Sequence, residues 1–303
     1  MNDDLQEKLP HGTSFFPLQV YSHQDKNGFY FVCQHWHEEL EWIYVENGVL
    51  HLTVRGKAYT LRQGQFCFIN SQELHEIRSV GSSLHHAVVF RADFLDFSYY
   101  DACQHNFIRP VTGQRLLFPS GDPALPAGTA DKISGHMREI VRLYHTLPKC
   151  ALLSIKLHIL HILELLFEAD IFYEADAPLK ENAPMNQLKL ALSYIQEHYM
   201  SPISLQTLAQ LCYMSPNYFC SLFHRELGKT PVTFVNEFRI QKAAQLLADT
   251  ELSVSQIAAS AGFPNFSYFI RKFREQKGVT PTEYRRIVRA EAGKEGQKAS
   301  RLP

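Results

Sequence analysis

The chain has 303 residues, of which 45% are hydrophobic and 20% charged, with a formal charge of −1. A chain this apolar can bury cores, which excludes disorder as its main state, and the length predicts two or three domains. No apolar run approaches the ~20 residues of a membrane-spanning helix, the opening MNDDLQEKLP is too acidic for a secretory leader, and six scattered cysteines make no CxxC pair, so we expect reduced thiols, a cytoplasmic location and no membrane partner.

Charge is distributed unevenly. Residues 1–186 carry 15 Lys+Arg and 22 Asp+Glu, and residues 187–303 carry 15 and 9, giving −7 and +6. The histidines divide 13 to 2. The basic back half has the sign expected of a partner for a polyanion.

From the N-terminus, Pro10 to Val20 reads either as an arm over a pocket or as an edge strand. Short aromatic and β-branched runs follow at Phe29–Cys33, Leu40–Val45, Leu50–Val54, Ala58–Leu61, Gln65–Ile69 and His85–Phe90. Glycines punctuate them, and Asn47-Gly48 is a tight-hairpin signal. This pattern predicts an all-β barrel or sandwich over residues 1–120. The period then becomes helical. Two helices are expected near 129–146 and 150–174, inside a helical region spanning 121–176. The stripe Leu152, Ile155, Ile159, Ile162 and Leu166 would serve a dimer interface or pack on the barrel, and we favour the dimer. Two prolines and little apolar content make 177–186 a linker. Residues 187–290 are helical throughout, and 291–303 are expected to be a disordered tail.

The back half contains an internal repeat. Leu208-Ala209 matches Ile257-Ala258, and Tyr218-Phe219 matches Tyr268-Phe269. Phe223, Gly228, Thr230-Pro231 and Phe234 match Phe273, Gly278, Thr280-Pro281 and Tyr284. The offset is 49 residues early in the repeat and 50 later. Each copy reads as a helix-turn-helix. Ser215 and Asn265 cap the second helices, Phe219, Leu222, Phe223, Phe269 and Phe273 pack them inward, and Gly228 and Gly278 end them in a left-handed conformation. One amphipathic helix joins the copies. A duplicated helical bundle would explain the packing positions. It would not explain the polar face each second helix shows opposite its aromatics.

The doubled motif, with GFPNFSYFIRKFREQKGVTPTEYRR in its second copy, resembles the DNA-binding domain of the AraC/XylS family of bacterial transcription regulators. The resemblance covers 187–290. It implies two recognition helices in successive major grooves of double-stranded promoter DNA. With the aromatics inward, the reading faces are Asn217, Cys220, Ser221 and His224 in the first copy. In the second they are Phe266, Ser267, Ile270 and Arg271. Arg271 can pair bidentately with guanine, Asn217 with adenine, and Phe266 or Ile270 can touch a thymine methyl. Lys272 and Arg274 are expected on phosphates.

In the front half, His35-Trp36-His37-Glu38-Glu39-Leu40-Glu41 gives an HxHxxxE stretch, with Gly64 beginning a strand that ends near His75. Alternation in a strand would put His35, His37, Glu41, Ile43 and Val45 on one face. The spacing resembles the two motifs of the cupin barrel, with Asn70-Ser71-Gln72 replacing the usual Pro-x-Gly of the second. The resemblance implies that His35, Trp36, His37, Glu41 and His75 line an effector pocket. Cupin metalloenzymes ligate a metal at positions equivalent to His35, His37, Glu41 and His75, and this donor set suits Fe, Mn, Ni or Zn. Three roles stay open for these four side chains: a divalent-metal site, polar effector contacts, or hydrogen bonding within the barrel. Trp36, Trp42 and Tyr44 would add aromatic surface near the pocket, although core packing is the better reading for Trp42. His51, His85 and His86 read as surface or strand residues.

The expected protein is therefore an α+β multidomain chain. A cupin-like barrel and helical dimerisation region precede an all-α double helix-turn-helix. Its function would be regulation of transcription, as an activator answering a small-molecule effector such as a sugar. RNA polymerase and a second copy of the chain would be its protein partners. No cofactor is required and no enzyme activity is expected. A cupin metalloenzyme fused to a DNA-binding domain is the alternative, as is a metal or redox sensor using the histidines or Cys33 and Cys67.

Overall fold

Turn residues cut the front of the chain into eight strands: β1 (Leu18–Asp25), β2 (Phe31–His35), β3 (Leu40–Asn47), β4 (Val49–Val54), β5 (Lys57–Arg62), β6 (Phe66–Ile69), β7 (His75–Ser79) and β8 (Ser83–Phe90). They form two four-stranded sheets, ordered β1-β8-β3-β6 and β2-β7-β4-β5, in a barrel-like sandwich. The computed structural model describes residues 11–13, 15–121, 125–175 and 183–299. The chain divides into two units, Met1–Asn186 and Gln187–Pro303.

Two strand expectations are corrected. Asn47-Gly48 makes no hairpin. β3 pairs with β6 and β8 while β4 pairs with β5 and β7, so the chain crosses there from one sheet to the other. The two-residue hairpin lies at Arg55-Gly56, both at positive φ (49° and 74°), with Val54 opposite Lys57. The run from Gly64 to His75 is likewise broken. It contributes β6 to one sheet, turns through residues 70–74, and enters the other sheet at His75 as β7.

The crossing constrains Gly48. Its φ is 86°, and a Cβ there would lie 2.3 Å from the backbone oxygen of Ser82. We expect Gly48→Ala to destabilise the front unit by about 1 kcal/mol or more. Urea unfolding followed by tryptophan fluorescence checks this, because the chain's two tryptophans, Trp36 and Trp42, both lie in that unit. An unchanged midpoint would contradict it.

Side-chain alternation in β3 serves two cores. Ile43 and Val45 face inward with Leu50, Leu52, Leu61, Cys67, Ile69 and Ile77. Trp42 and Tyr44 face outward, where helices cover them. These are α2 (Thr129–Thr146) and α3 (Ala151–Glu168), preceded by a short turn, α1 (Arg109–Thr112). Ser134 Oγ donates to Gly64 O at 2.6 Å and Arg138 reaches the Tyr44 hydroxyl, fixing α2 on the sheet. α3 ends before the expected residue 174, because the chain turns at Asp170 (φ 50°) and pairs β10 (Tyr173–Glu174) with β9 (Leu116–Leu117).

This packing corrects the dimer stripe. Ile155, Ile159, Ile162 and Leu166 are all fully buried with Trp42, Phe68 and Phe90. Each aliphatic side chain withdrawn from water contributes about 1.5–3 kcal/mol, and the sheet takes that gain within one chain. Of the five, only Leu152 is exposed.

The second unit consists of most of α4 (Ala183–His198), which begins just before it, with α5 (Leu205–Leu211), α6 (Pro216–Leu227), α7 (Pro231–Asp249), α8 (Val254–Ser260), α9 (Phe266–Lys277) and α10 (Pro281–Ala299). The expected linker 177–186 is already helical from Ala183, while 177–182 lie outside the described residues. The expected tail is helical as far as Ala299, in keeping with its run of Ala, Glu and Lys, which are strong helix formers; residues 300–303 lie outside the described residues. The caps are where the repeat puts them. Ser215 and Asn265 accept from the backbone N–H of Tyr218 and Tyr268, and Gly228 and Gly278 sit at φ 71° and 74°. The shift in offset has a simple cause. Met214 and Phe263 each donate a backbone N–H into the preceding helix, and Pro264 is then inserted before the second cap.

Candidate functional site

Two groups of residues carry chemistry, one in each unit. On α6, Phe219, Leu222 and Phe223 are buried, which turns Asn217, Ser221 and His224 to solvent and leaves Cys220 half-buried. On α9, buried Phe269 and Phe273 leave Phe266, Ser267, Arg271 and Arg274 exposed, with Ile270 and Lys272 half-buried. The capped N-termini of α6 and α9 lie beside these faces, and a helix N-terminus is a favourable place for a phosphate.

The Arg271 guanidinium lies 5.2 Å over the Tyr268 ring and its Nε is 3.8 Å from Glu275 Oε1. Lys272 Nζ is 2.7 Å from Glu275 Oε2. These pairs are exposed and worth little, so both cations can exchange Glu275 for DNA at small cost. Asn236 of α7 donates to the Tyr268 hydroxyl at 3.0 Å, tying the connecting helix to the platform under Arg271. Sequence reasoning passed over Asn236 because nothing local marks it. It also passed over Arg225, exposed on α6 beside His224.

In the barrel, the cluster forms, although not as one strand. β2 ends at His35, which stands opposite His75 of β7. The chain then passes to β3 in the other sheet, carrying His37 and Glu41 with it. The 70–74 turn closes the site, with Gln72 N donating to His37 O at 2.8 Å. Gln72 holds φ 64°, the left-handed place a glycine would take in a Pro-x-Gly motif. Asn70 secures the turn to Phe118 through two hydrogen bonds of 2.8 and 3.0 Å.

The ligand atoms of His35, His37, Glu41 and His75 lie within 4.8 Å of one another. Glu41 Oε2 is 3.1 Å from His37 Nε2 and 2.9 Å from His75 Nε2. Each imidazole Nδ1 meets a backbone carbonyl: His35 with Cys33 O at 3.0 Å, His37 with Glu39 O at 3.1 Å, His75 with Glu73 O at 2.8 Å. A carbonyl only accepts, so each Nδ1 donates to the backbone behind it, and His37 Nε2 is hydrogen-bonded to Glu41 Oε2. Burial and the neighbouring His75 and His37 push the His35 imidazolium well below its usual range. Burial works to raise the Glu41 carboxyl, but His75 and His37 overcome it and hold the group well below the usual carboxylate range. Such a donor set fits a divalent transition metal, with carbonyls orienting the rings from behind.

A row of rings continues from the cluster. His11 stands 5.5 Å from His37 and accepts or donates at the Tyr21 hydroxyl, 2.9 Å away. Tyr21, His23, Tyr30 and His85 follow, with ring centroids 4.6–6.3 Å apart. Burial and His37 bring His11 down to about 4; burial, with His23 and His86, brings His85 down to about 3. The N-terminal segment thus places His11 against the cluster. His85 is a strand residue, in β8, and not a surface one: it is fully buried and faces this interior. His86 is buried too, on the other face, where it meets Glu46 and Ser22. Of the expected aromatics, Trp42 and Tyr44 lie in the outer core away from the cluster, and Trp36 is buried. His51 is at the surface, on Thr60.

Two family models match the chain. Residues 16–107 fit an AraC-like ligand binding domain and residues 208–287 a helix-turn-helix domain. An uncharacterized HTH-type transcriptional regulator of Bacillus subtilis, YdeC, is 24% identical over 95% of this chain and 98% of its own length. The HTH-type transcriptional activator RhaS of an Enterobacter species is 24% identical over 83% of this chain and 87% of its own. Regulatory protein PocR of Salmonella typhimurium is 37% identical over 34% of each chain. No helix among the described residues is long and apolar enough to cross a membrane. A ligand-binding domain of this type, followed by two helix-turn-helix units, places the chain in the AraC/XylS family of DNA-binding transcription regulators.

Proposed function

We propose that this regulator is an activator switched by a small polar molecule bound in the front barrel. The observation that carries the proposal is the pair of capped second helices, each with buried aromatics behind an exposed polar face. Residues 187–290 bind the promoter. Asn217, Ser221, His224, Phe266, Ser267, Ile270 and Arg271 face the bases, Cys220 fills space between them, and Lys272 and Arg274 hold phosphates. Residues 1–120 hold the effector against His35, Trp36, His37, Glu41 and His75, and residues 121–176 form the helical region. Activation is supported by the activator RhaS among the relatives, and implies contact with RNA polymerase. Sugars are the first effector class to try, since neutral imidazoles and phenols match hydroxyl groups that both donate and accept. A homodimer would use the exposed Leu152, Leu153 and Leu157 of α3, because the inward stripe is already spent.

Mapping the DNA occupied by the full chain in its host tests this. Discrete promoter sites that answer to one nutrient support the proposal, and no discrete sites under any nutrient condition would refute it. Once an operator is known, Arg271→Ala is expected to cost about 1–3 kcal/mol of discrimination, roughly 5- to 150-fold. Equal discrimination between operator and random DNA before and after the substitution would remove Arg271 from base reading.

A further inference from the structure

The segment between the barrel and α2 leaves large apolar side chains in water, and they are not scattered. Phe97, Phe107 and Leu157 are 38, 46 and 47% exposed. With Ile108, Leu160 and Phe167 they line one groove of about 620 Å³ between residues 97–108 and α3. That volume suits a small organic ligand. Behind it is a second stripe on α3. Ile155, Ile159, Ile162 and Leu166 face the sheet core. Leu157, Leu160, His161, Glu164, Phe167 and Glu168 recur every three or four residues on the groove face. Phe107 meets Phe167 edge-on, with ring centroids 5.2 Å apart, which joins the two walls.

The charge of the lining indicates what would fill it. Its titratable side chains are Cys103, His161, Glu164 and Glu168, and among the described residues no Lys or Arg lines it. His161 Nδ1 is 3.1 Å from Glu164 Oε2, an exposed contact that screening leaves weak. The basic residues next along the two walls have other partners. Lys156 Nζ lies 4.9 Å over the Phe94 ring, and Arg109 Nη1 is 3.8 Å from Asp96 Oδ2. The last turn of α3, where Glu168 lies, carries no basic residue, so the negative end of the helix dipole adds to the two carboxylates. Aromatic faces beside carboxylates attract a cation that also has apolar surface to bury.

We propose that this groove is a second ligand site, outside the barrel, for a hydrophobic organic cation. The charge sits by Glu164 and Glu168, and the apolar body lies against Phe97, Phe107 and Phe167. A neutral hydrophobe would gain the apolar contacts alone, and an anion would meet two carboxylates. The competing occupant is a second copy of the chain, since Leu157 belongs both to the groove and to the face open to a dimer. The site stands apart from the barrel's effector and from promoter binding, and neither enters its test.

The full chain is titrated by isothermal calorimetry with tetraphenylphosphonium and with tetraphenylborate, a cation and an anion of matching size and shape. One tetraphenylphosphonium per chain is expected. Phe107→Ala should weaken it by about 10-fold, and so should Glu164→Gln combined with Glu168→Gln. Glu197→Gln, at an exposed acid of α4, should leave it unchanged. Tetraphenylborate affinity should not fall in either groove variant. Circular dichroism confirms that each variant is folded, and the double glutamine variant, at two exposed side chains, keeps the test decisive where Phe107→Ala does not fold. No uptake of the cation, or uptake that the folded groove variants leave unchanged, would overturn the site. A borate affinity that Phe107→Ala lowers as much as the cation's would overturn the preference for positive charge. A chain that sediments as a dimer, becomes a monomer with Phe107→Ala and takes up no tetraphenylphosphonium would also overturn the proposal and give the groove to a second copy.

Discussion

Raising salt from 50 to 200 mM is expected to weaken binding of the full chain to its operator by about 10³-fold. The estimate follows from the second unit. Its net charge is +6. Arg225, Arg271, Lys272 and Arg274 lie on or beside the two reading faces, and the capped N-termini of α6 and α9 add backbone donors. Two recognition helices engaging about six phosphates would release about five counterions, a slope near −5 in log K against log salt. Lys272 must first leave Glu275, but an exposed pair of this kind is worth about 0.2–1 kcal/mol and does not compete with a phosphate. Fluorescence anisotropy over a salt series checks the slope. A value shallower than about −2 would mean that the two helices do not lie against the backbone together.

Phe269→Ala should be the most damaging single change in the DNA-binding unit, costing about 3–5 kcal/mol. Phe269 is fully buried and packs against Phe263, Phe266 and Phe273 at ring separations of 5.2, 6.3 and 5.6 Å. Removing the ring empties the centre of the second helix-turn-helix and frees the face that carries Arg271. A loss of that size is about a fifth or more of a typical domain's stability. Thermal unfolding followed by circular dichroism should show the helical unit melting first. Tryptophan fluorescence should report an unchanged front unit, since Trp36 and Trp42 lie there. A cost under about 1 kcal/mol would mean that the repeat's aromatics are not its core.

The doubled helix-turn-helix of the second unit was legible in the sequence by itself. Helices signal their own ends: Ser215, Asn265, Gly228 and Gly278 act through hydrogen bonds and φ angles within a few residues. Their buried faces repeat within one turn, so Phe219 and Phe269 pointed inward, and Arg271 outward, before any packing was known. The helix bounds 129–146 were legible for the same reason.

Tertiary structure decided the rest, because strands take their partners from far along the chain. Asn47-Gly48 has a hairpin's composition, yet β3 and β4 go to different sheets, and only the approach of Gly48 to Ser82 shows why glycine is needed there. The α3 stripe has one period whether it meets a second copy or a sheet, and the outward row of Trp42, Phe68 and Phe90 claims it. His85 looks like any strand histidine until β8 is set beside β1 and β3, which turns it into the interior. Spacing alone marked His35, His37, Glu41 and His75, which the barrel brings together. That the Nδ1 atoms of the three histidines all turn to carbonyls depends on how β2 and β7 pair and how the chain crosses to β3. Sequence spacing carries no record of that crossing.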